Sequence, residues 1–254
     1  MTAHGGFDRK LRLRIFFRSL SLQASWNHQR MQNLGLLFSL LPWLQRQPAD
    51  PNQNRLFCRR YFEFFNTNPY LANFLIGGLV RLEDDRRAGV DVPLDLIATY
   101  RDSLGRTLAS LGDQLFWLGL RPALIMAVCL VALTGHALGS VLVILAFAVM
   151  QLAVRWAALG WGYALGRDIL RLLRHPAWHR AIRASKKIAM TLTGMVAGTY
   201  VAKVQDFSGV LAGDLVWVGV ILGIGLPLLI RKRLPGEIML LAATALALAA
   251  GFAI

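Results

Sequence analysis

SLSLQASWNHQRMQNLGLLFSLLPWL, residues 19–44, opens polar and closes apolar. Its apolar part, residues 34–44, is about half of the roughly 20 residues a helix needs to cross a bilayer, and Gly35 and Pro42 punctuate it. That length and punctuation predict a re-entrant or interfacial segment. A second stretch, YFEFFNTNPY at residues 61–70, precedes another short apolar run, 71–80, which contains Gly77-Gly78 and leads into the charged RLEDDRR at 81–87. Non-helical backbone at membrane depth is tolerated only where protein or a water-filled cavity satisfies it, so broken apolar segments of this kind point toward a translocation path. The alternative for each is an amphipathic cytoplasmic helix.

The rest of the chain places these segments in a membrane protein. Of 254 residues, 56% are hydrophobic and only 17% charged, yet the net charge is +14, so the basic residues must gather in a few segments. A basic excess can also signal nucleic-acid binding, but that needs a soluble module with Lys and Arg on one face. Here the charges lie between spanning candidates, and juxtamembrane loops facing anionic lipid account for them without nucleic acid. Cys58 and Cys129 lack CxxC spacing and are expected to be reduced and structural. Arg9, Lys10, Arg12 and Arg14 resemble the start of a signal peptide, but Arg18, Gln23, Asn27 and His28 interrupt the run before an apolar core develops.

The expected fold is all-α and polytopic, with residues 1–110 forming an amphipathic and re-entrant region and 111–254 a transmembrane region. Residues 8–30 read as an amphipathic helix, with Leu13, Phe16, Phe17 and Leu20 at helical spacing beside Lys10, Arg14 and Arg18. It would lie on the cytoplasmic leaflet or pack on a protein partner. Spans are expected at 122–134 and 137–154, joined by a tight Gly135-His136 turn, then at 188–204, 210–230 and 236–254. The intervening 167–187 carries Arg167, Arg171, Arg174, Arg180, Arg183, Lys186 and Lys187 against Asp168, which makes it a cytoplasmic loop by the positive-inside rule. The N-terminus is then inside and the C-terminus outside.

Catalytic chemistry is not expected on this chain. His4, His28 and His136 are scattered without a carboxylate partner. His175 and His179 stand at i, i+4, a spacing that could hold a metal, but Arg174 and Arg180 flank them and make surface histidines of a basic loop the expected reading. No phosphate-binding loop, dinucleotide fingerprint or serine elbow is present. No metal or cofactor is implied. What remains are polar residues in apolar surroundings, where burial without a partner is costly. Glu63, Asn66, Thr67 and Asn68 lie in an aromatic-rich block, Asp113 and Gln114 enter the first hairpin, and Trp26 and Asn27 belong to the first stretch. Amides and carboxylates beside aromatic faces suit a sugar's hydroxyls and C–H surface. The same Asn-Thr-Asn-Pro is also good turn chemistry, buried Asn and Glu can join subunits, and Asp113 could pair with Arg121. These readings stay open together.

ASWN-x-x-RMQNLG-x-x-x-SLLP, as it stands at residues 24–42, and EFFNTNPY at 63–70 resemble the two signatures of the membrane-embedded IID subunit of the mannose/fructose/sorbose family of the bacterial phosphotransferase system. RPALIMAV and WGYALGRDI, at 161–169, are also similar to the family. The resemblance implies an inner-membrane subunit that forms, with a IIC partner, the path for a hexose-type sugar. Soluble IIA and IIB components would carry the phosphorylated histidines, and several IIC/IID pairs would assemble together in the lipid. The sequence departs from the family by a short segment between Lys203 and Leu215, and by Leu108-Ala109-Ser110-Leu111 where the family approaches its Gly-Asp through glycines. A rival implication is a regulatory or sensory paralogue that keeps the fold without transporting.

Overall fold

A computed structural model describes residues 7–208, which are helical apart from short connections. The helices are α1 (Arg9–Ser19), α2 (Asn33–Leu44), α3 (Pro51–Tyr61), α4 (Ala72–Arg87), α5 (Leu94–Gly112), α6 (Arg121–Leu133), α7 (Ala137–Leu165), α8 (Ile169–Leu173) and α9 (Ala177–Ser208). A π-helical segment, Asp113–Leu120, joins α5 to α6, and a 3₁₀ turn, Gly166–Asp168, leads into α8. The described residues pack as two compact units, 7–118 with Ala146–Ile182, and Gly119–Leu145 with 183–208.

In the first unit, α1 begins where the Asp8 carboxylate accepts the Leu11 amide at 2.7 Å and pairs with Arg46. Those two partners hold the Asp8 carboxyl below its usual range. The helix stops at Ser19 and does not continue to residue 30 as its apolar spacing predicts. The Ser19 and Ser21 hydroxyls donate to the carbonyls of Phe16 and Arg18, offering the backbone an alternative to the helical ladder. Leu11, Ile15, Phe16 and Ser19 form its buried face, while Leu13, Phe17 and Leu20 stay exposed.

The expected breaks at Pro42 and Gly77-Gly78 do not occur. α2 runs through Pro42. Pro42 has no N–H for the carbonyl four residues back, and the Arg18 guanidinium reaches that orphaned Phe38 oxygen at 3.4 Å while lying 4.6 Å over the Phe38 ring. α4 runs through both glycines and forms the centre of the unit, with every residue from 71 to 80 buried. An ideal Cβ on Gly77 would stand 2.2 Å from the Leu159 carbonyl oxygen, and one on Gly162 2.1 Å from that of Phe74. The glycines therefore let α4 and α7 touch backbone to backbone.

In the second unit α6 and the start of α7, residues 137–145, form the expected hairpin turn, with Gly135 at φ 82 and Thr134 donating to the Val131 carbonyl at 2.6 Å. Lys203 of α9 donates to the Leu133 carbonyl. Pro122 lies at the start of α6, where the missing N–H disturbs the preceding ladder, and the π-helical segment stands directly before it.

Among the described residues two helical runs are long and apolar enough to cross a membrane, Leu94–Leu133 and Ala137–Leu173. The first covers 122–133 of the span expected at 122–134, and the second contains 137–154. The span expected at 188–204 lies within α9, where Thr191, Thr193, Thr199 and Lys203 dilute the apolar character. Those expected at 210–230 and 236–254 fall outside the described residues. The basic stretch 167–187, expected as a loop, is mostly helical, because Arg and Lys are good helix formers; the break comes at His175-Pro176.

Candidate functional site

Residues 26–33 and 61–70, distant in sequence, fold against each other. Asn27 and Met31 exchange backbone hydrogen bonds of 3.2 and 2.9 Å, with Met31 in the left-handed region at φ 55. Asn27 Oδ1 accepts the Arg30 amide at 2.8 Å and so shapes this small loop. The Gln32 amide then donates to the Phe65 carbonyl at 2.8 Å, and the Phe65 amide to that of Arg30 at 3.3 Å. The Gln32 side chain completes the join: Nε2 donates to the Thr67 carbonyl at 2.9 Å, while Oε1 accepts the Thr67 amide at 3.0 Å. Asn33 and Arg30 both donate to the Phe62 carbonyl, at 2.8 and 3.1 Å.

The second stretch also grips α5 and the π-helical segment. Thr67 Oγ1 donates to the Gly105 carbonyl at 2.9 Å, and Asn68 Nδ2 to Asp113 Oδ1 at 2.9 Å. Asn68 Oδ1 accepts the Tyr70 amide at 3.0 Å. Tyr70 packs on Phe116, ring centroids 4.5 Å apart, and the Arg155 guanidinium lies 5.1 Å over its ring. Gly112 is required here, since an ideal Cβ would stand 2.3 Å from Asn68 Cγ.

The candidate residues thus separate by environment. Thr67 and Asn68 are buried and use their side chains inside the chain. Asn66, Glu63 and Asp113 lie at the surface, and Gln114 is half-buried. Glu63 pairs with Arg101 at 3.0 Å. Asp113 meets the neutral amide of Asn68. Among the described contacts, the exposed Trp26 packs edge-on against His28, ring centroids 4.7 Å apart, and does not meet the 63–68 block.

Two features escaped sequence reasoning. Arg101 is 4% exposed, sits on the buried α5 stripe of Ile97, Leu104 and Leu108, and donates to Glu63, Asp102 and the Arg60 carbonyl. A lone arginine on an apolar stripe was the available signal. Beside it, Glu83, 1% exposed, accepts from Arg60 and, at 2.8 Å, from the Tyr61 hydroxyl. Burial first, and then the neighbouring Glu83 charge, push the Tyr61 phenol well above its usual value. Asp84 accepts from the Trp43 indole at 2.6 Å and the Tyr163 hydroxyl at 2.8 Å. The charged run 81–87 is therefore a folding clamp over α2, α3 and α7.

The exposed polar side chains of these stretches are Asn66, Glu63, which pairs with Arg101, and Asp113, which accepts from Asn68. An amide and carboxylates of this kind can donate to and accept from hydroxyl or backbone groups.

Comparison with known proteins places this arrangement. The PTS system mannose/fructose/sorbose family IID component matches residues 7–212. The mannose-specific EIID component of Escherichia coli K12 is 35% identical over 158 residues, 62% of this chain and 56% of that protein. The sorbose-specific EIID component of Lacticaseibacillus casei is 30% identical over 149 residues, 59% of this chain and 53% of that protein. The matched part is thus about half the length of these curated relatives. Among solved structures, one of the mannose transporter ManYZ in complex with microcin E492 is similar over 97% of both chains, with a TM-score of 0.61 and 25% identity. A structure described only as a membrane protein is similar over 97% of both chains, at TM-score 0.73 and 25% identity. With the family match running through both signature stretches and the helices they lock together, the chain belongs to the mannose/fructose/sorbose family of phosphotransferase-system IID components.

Proposed function

We propose that this chain is the IID membrane subunit of a sugar-specific phosphotransferase transporter. With a IIC partner it forms the path for a hexose-type sugar, which IIB phosphorylates on entry. The phosphorylated residues lie on the soluble components, and this chain contributes structure and contacts to the path without a catalytic group. It works in the bacterial inner membrane, with the basic stretch 167–187 toward the cytoplasm.

The observation that carries this reading is the junction itself. Both family signatures converge on the start of the π-helical segment through Gln32–Thr67 and Asn68–Asp113, within the apolar run Leu94–Leu133. π-helical segments interrupt the regular ladder and recur at functional sites. Asn66, whose carbonyl lies near Gly105, and Glu63, paired with Arg101, are exposed polar residues of the second signature along α5.

Co-expression with a IIC chain and the soluble components in cells lacking their own hexose systems tests the proposal. Uptake of phosphorylated sugar should need both membrane chains. Asn66→Ala should leave the complex assembled and lower uptake up to about tenfold, the effect of losing a hydrogen bond of about 0.5–1.5 kcal/mol. Full uptake without this chain would refute the proposal.

A further inference from the structure

We propose that the groove between α1 and α7 is a binding site for an anionic phospholipid, with the acyl chain lying in the groove and the phosphate held at Arg9 and Arg12. The groove is a shallow, open depression of about 400 Å³ lined by Leu13, Phe16, Val149, Leu152, Ala153 and Trp156, an apolar surface.

Its direction follows from the register of the two helices. Phe7 stacks on Tyr163 with centroids 4.3 Å apart, the Arg12 guanidinium lies 4.0 Å over Trp156, and Phe16 meets the same indole edge-on at 5.3 Å. α1 therefore runs antiparallel to α7. The groove extends from Trp156 toward Val149, into the apolar run Ala137–Leu173, and the charges stand at its other end. From Val149 to Trp156 the helix rises about 10 Å, room for a substantial part of an acyl chain.

The charged end is short of partners. Arg9 is exposed, lies one turn before Leu13 on the same face of α1, and forms no ion pair among the described residues. Arg12 donates Nη2 to the Trp156 carbonyl at 2.7 Å and forms no ion pair among the described residues. The neighbouring carboxylate, Asp8, is already engaged by the Leu11 amide and Arg46. Gly160 keeps the place open, since an ideal Cβ there would stand 2.6 Å from Arg12 Nη2. A cationic mouth on an apolar slot matches a molecule with an anionic head and a hydrocarbon tail. Free phosphate would leave the slot empty, and a zwitterionic lipid would leave the charge less well matched.

The test uses the full chain, purified with its co-assembling subunits and reconstituted in phosphatidylcholine–phosphatidylglycerol vesicles, with the acyl chains of one lipid or the other brominated. Bromine in contact with an indole quenches its fluorescence, and the contribution of Trp156 is the difference from Trp156→Phe. Brominated phosphatidylglycerol should quench that contribution at a mole fraction lower by about fivefold for each engaged arginine. Arg9→Gln should remove about fivefold of the preference, and Ala153→Phe, which fills the slot, should abolish quenching by either lipid. Equal quenching by the two lipids would show an ordinary lipid boundary and overturn the proposal. Absence of quenching in the unmodified chain would show the slot closed by protein and overturn it equally. If Trp156→Phe fails to assemble, native mass spectrometry reads the same contrast: the unmodified complex should retain more phosphatidylglycerol than Arg9→Gln, and equal retention overturns the site.

Discussion

Asn68 donates its side-chain amide to Asp113 at 2.9 Å across 45 residues of sequence, tying the second signature to the first residue of the π-helical segment. Asn68 is 1% exposed, and Asn68→Ala leaves the Tyr70 amide and the Asp113 carboxylate without this partner. A loss of about 1–3 kcal/mol is expected. Asp113→Asn keeps an acceptor oxygen and should cost less than about 1 kcal/mol. Thermal unfolding of the detergent-solubilised complex separates the two; equal losses would mean that charge, and not the hydrogen bond, holds the junction.

Gly77 and Gly162 set the distance between α4 and α7. Either one changed to Ala places a Cβ about 2 Å from a carbonyl oxygen that belongs to helical backbone and has no rotamer to escape into. Overpacking of this kind costs about 1–3 kcal/mol or more. Each single variant should lower the unfolding midpoint and reduce recovery from the membrane. Retention of the parental midpoint would disprove the close crossing.

Tyr61 brings a pH dependence. Its phenol is held neutral in the folded chain, with its folded pKa above the ordinary value of about 10. The unfolded state therefore loses this proton first as pH rises, and the stability it contributes is complete below about pH 10 and declines above it. Unfolding followed between neutral and alkaline pH should show that decline. In Tyr61→Phe this alkaline component should disappear, together with about 1.5–3 kcal/mol from the lost bond to a charged carboxylate.

Orientation can be checked at two described positions. A reporter active only outside the cytoplasm should be silent when inserted near His175, within the basic stretch, and active in the Gly135-His136 turn. The reverse pattern would put the positive charges on the wrong side for contact with soluble phosphotransfer components.

The α6–α7 hairpin was legible because continuous apolar runs and a Gly-His turn are local signals. The junction of the signatures was not, because Gln32 meets Thr67 across 35 residues and nothing local marks Gln32 apart from its neighbours. Pro42 and Gly77-Gly78 misled for a related reason. A helix breaker is read from its own residue, but its cost is set elsewhere, by Arg18 reaching the Phe38 carbonyl and by α7 closing on α4. The site residues divided in the same way: residue type identified Thr67 and Asn68 as polar groups needing partners, and only the fold shows those partners to be internal.

The Tyr100 hydroxyl occupies the space a side chain on Gly78 would need, 1.9 Å from an ideal Cβ, and donates to the Gly166 carbonyl at 3.0 Å. One phenol thus fills a gap on α4 and ties the 3₁₀ turn to α5. A side chain at position 78 would have to displace that hydroxyl, and with it the bond that holds the Gly166 carbonyl. The size of residue 78 and the anchoring of the 3₁₀ turn are therefore linked through a single oxygen atom.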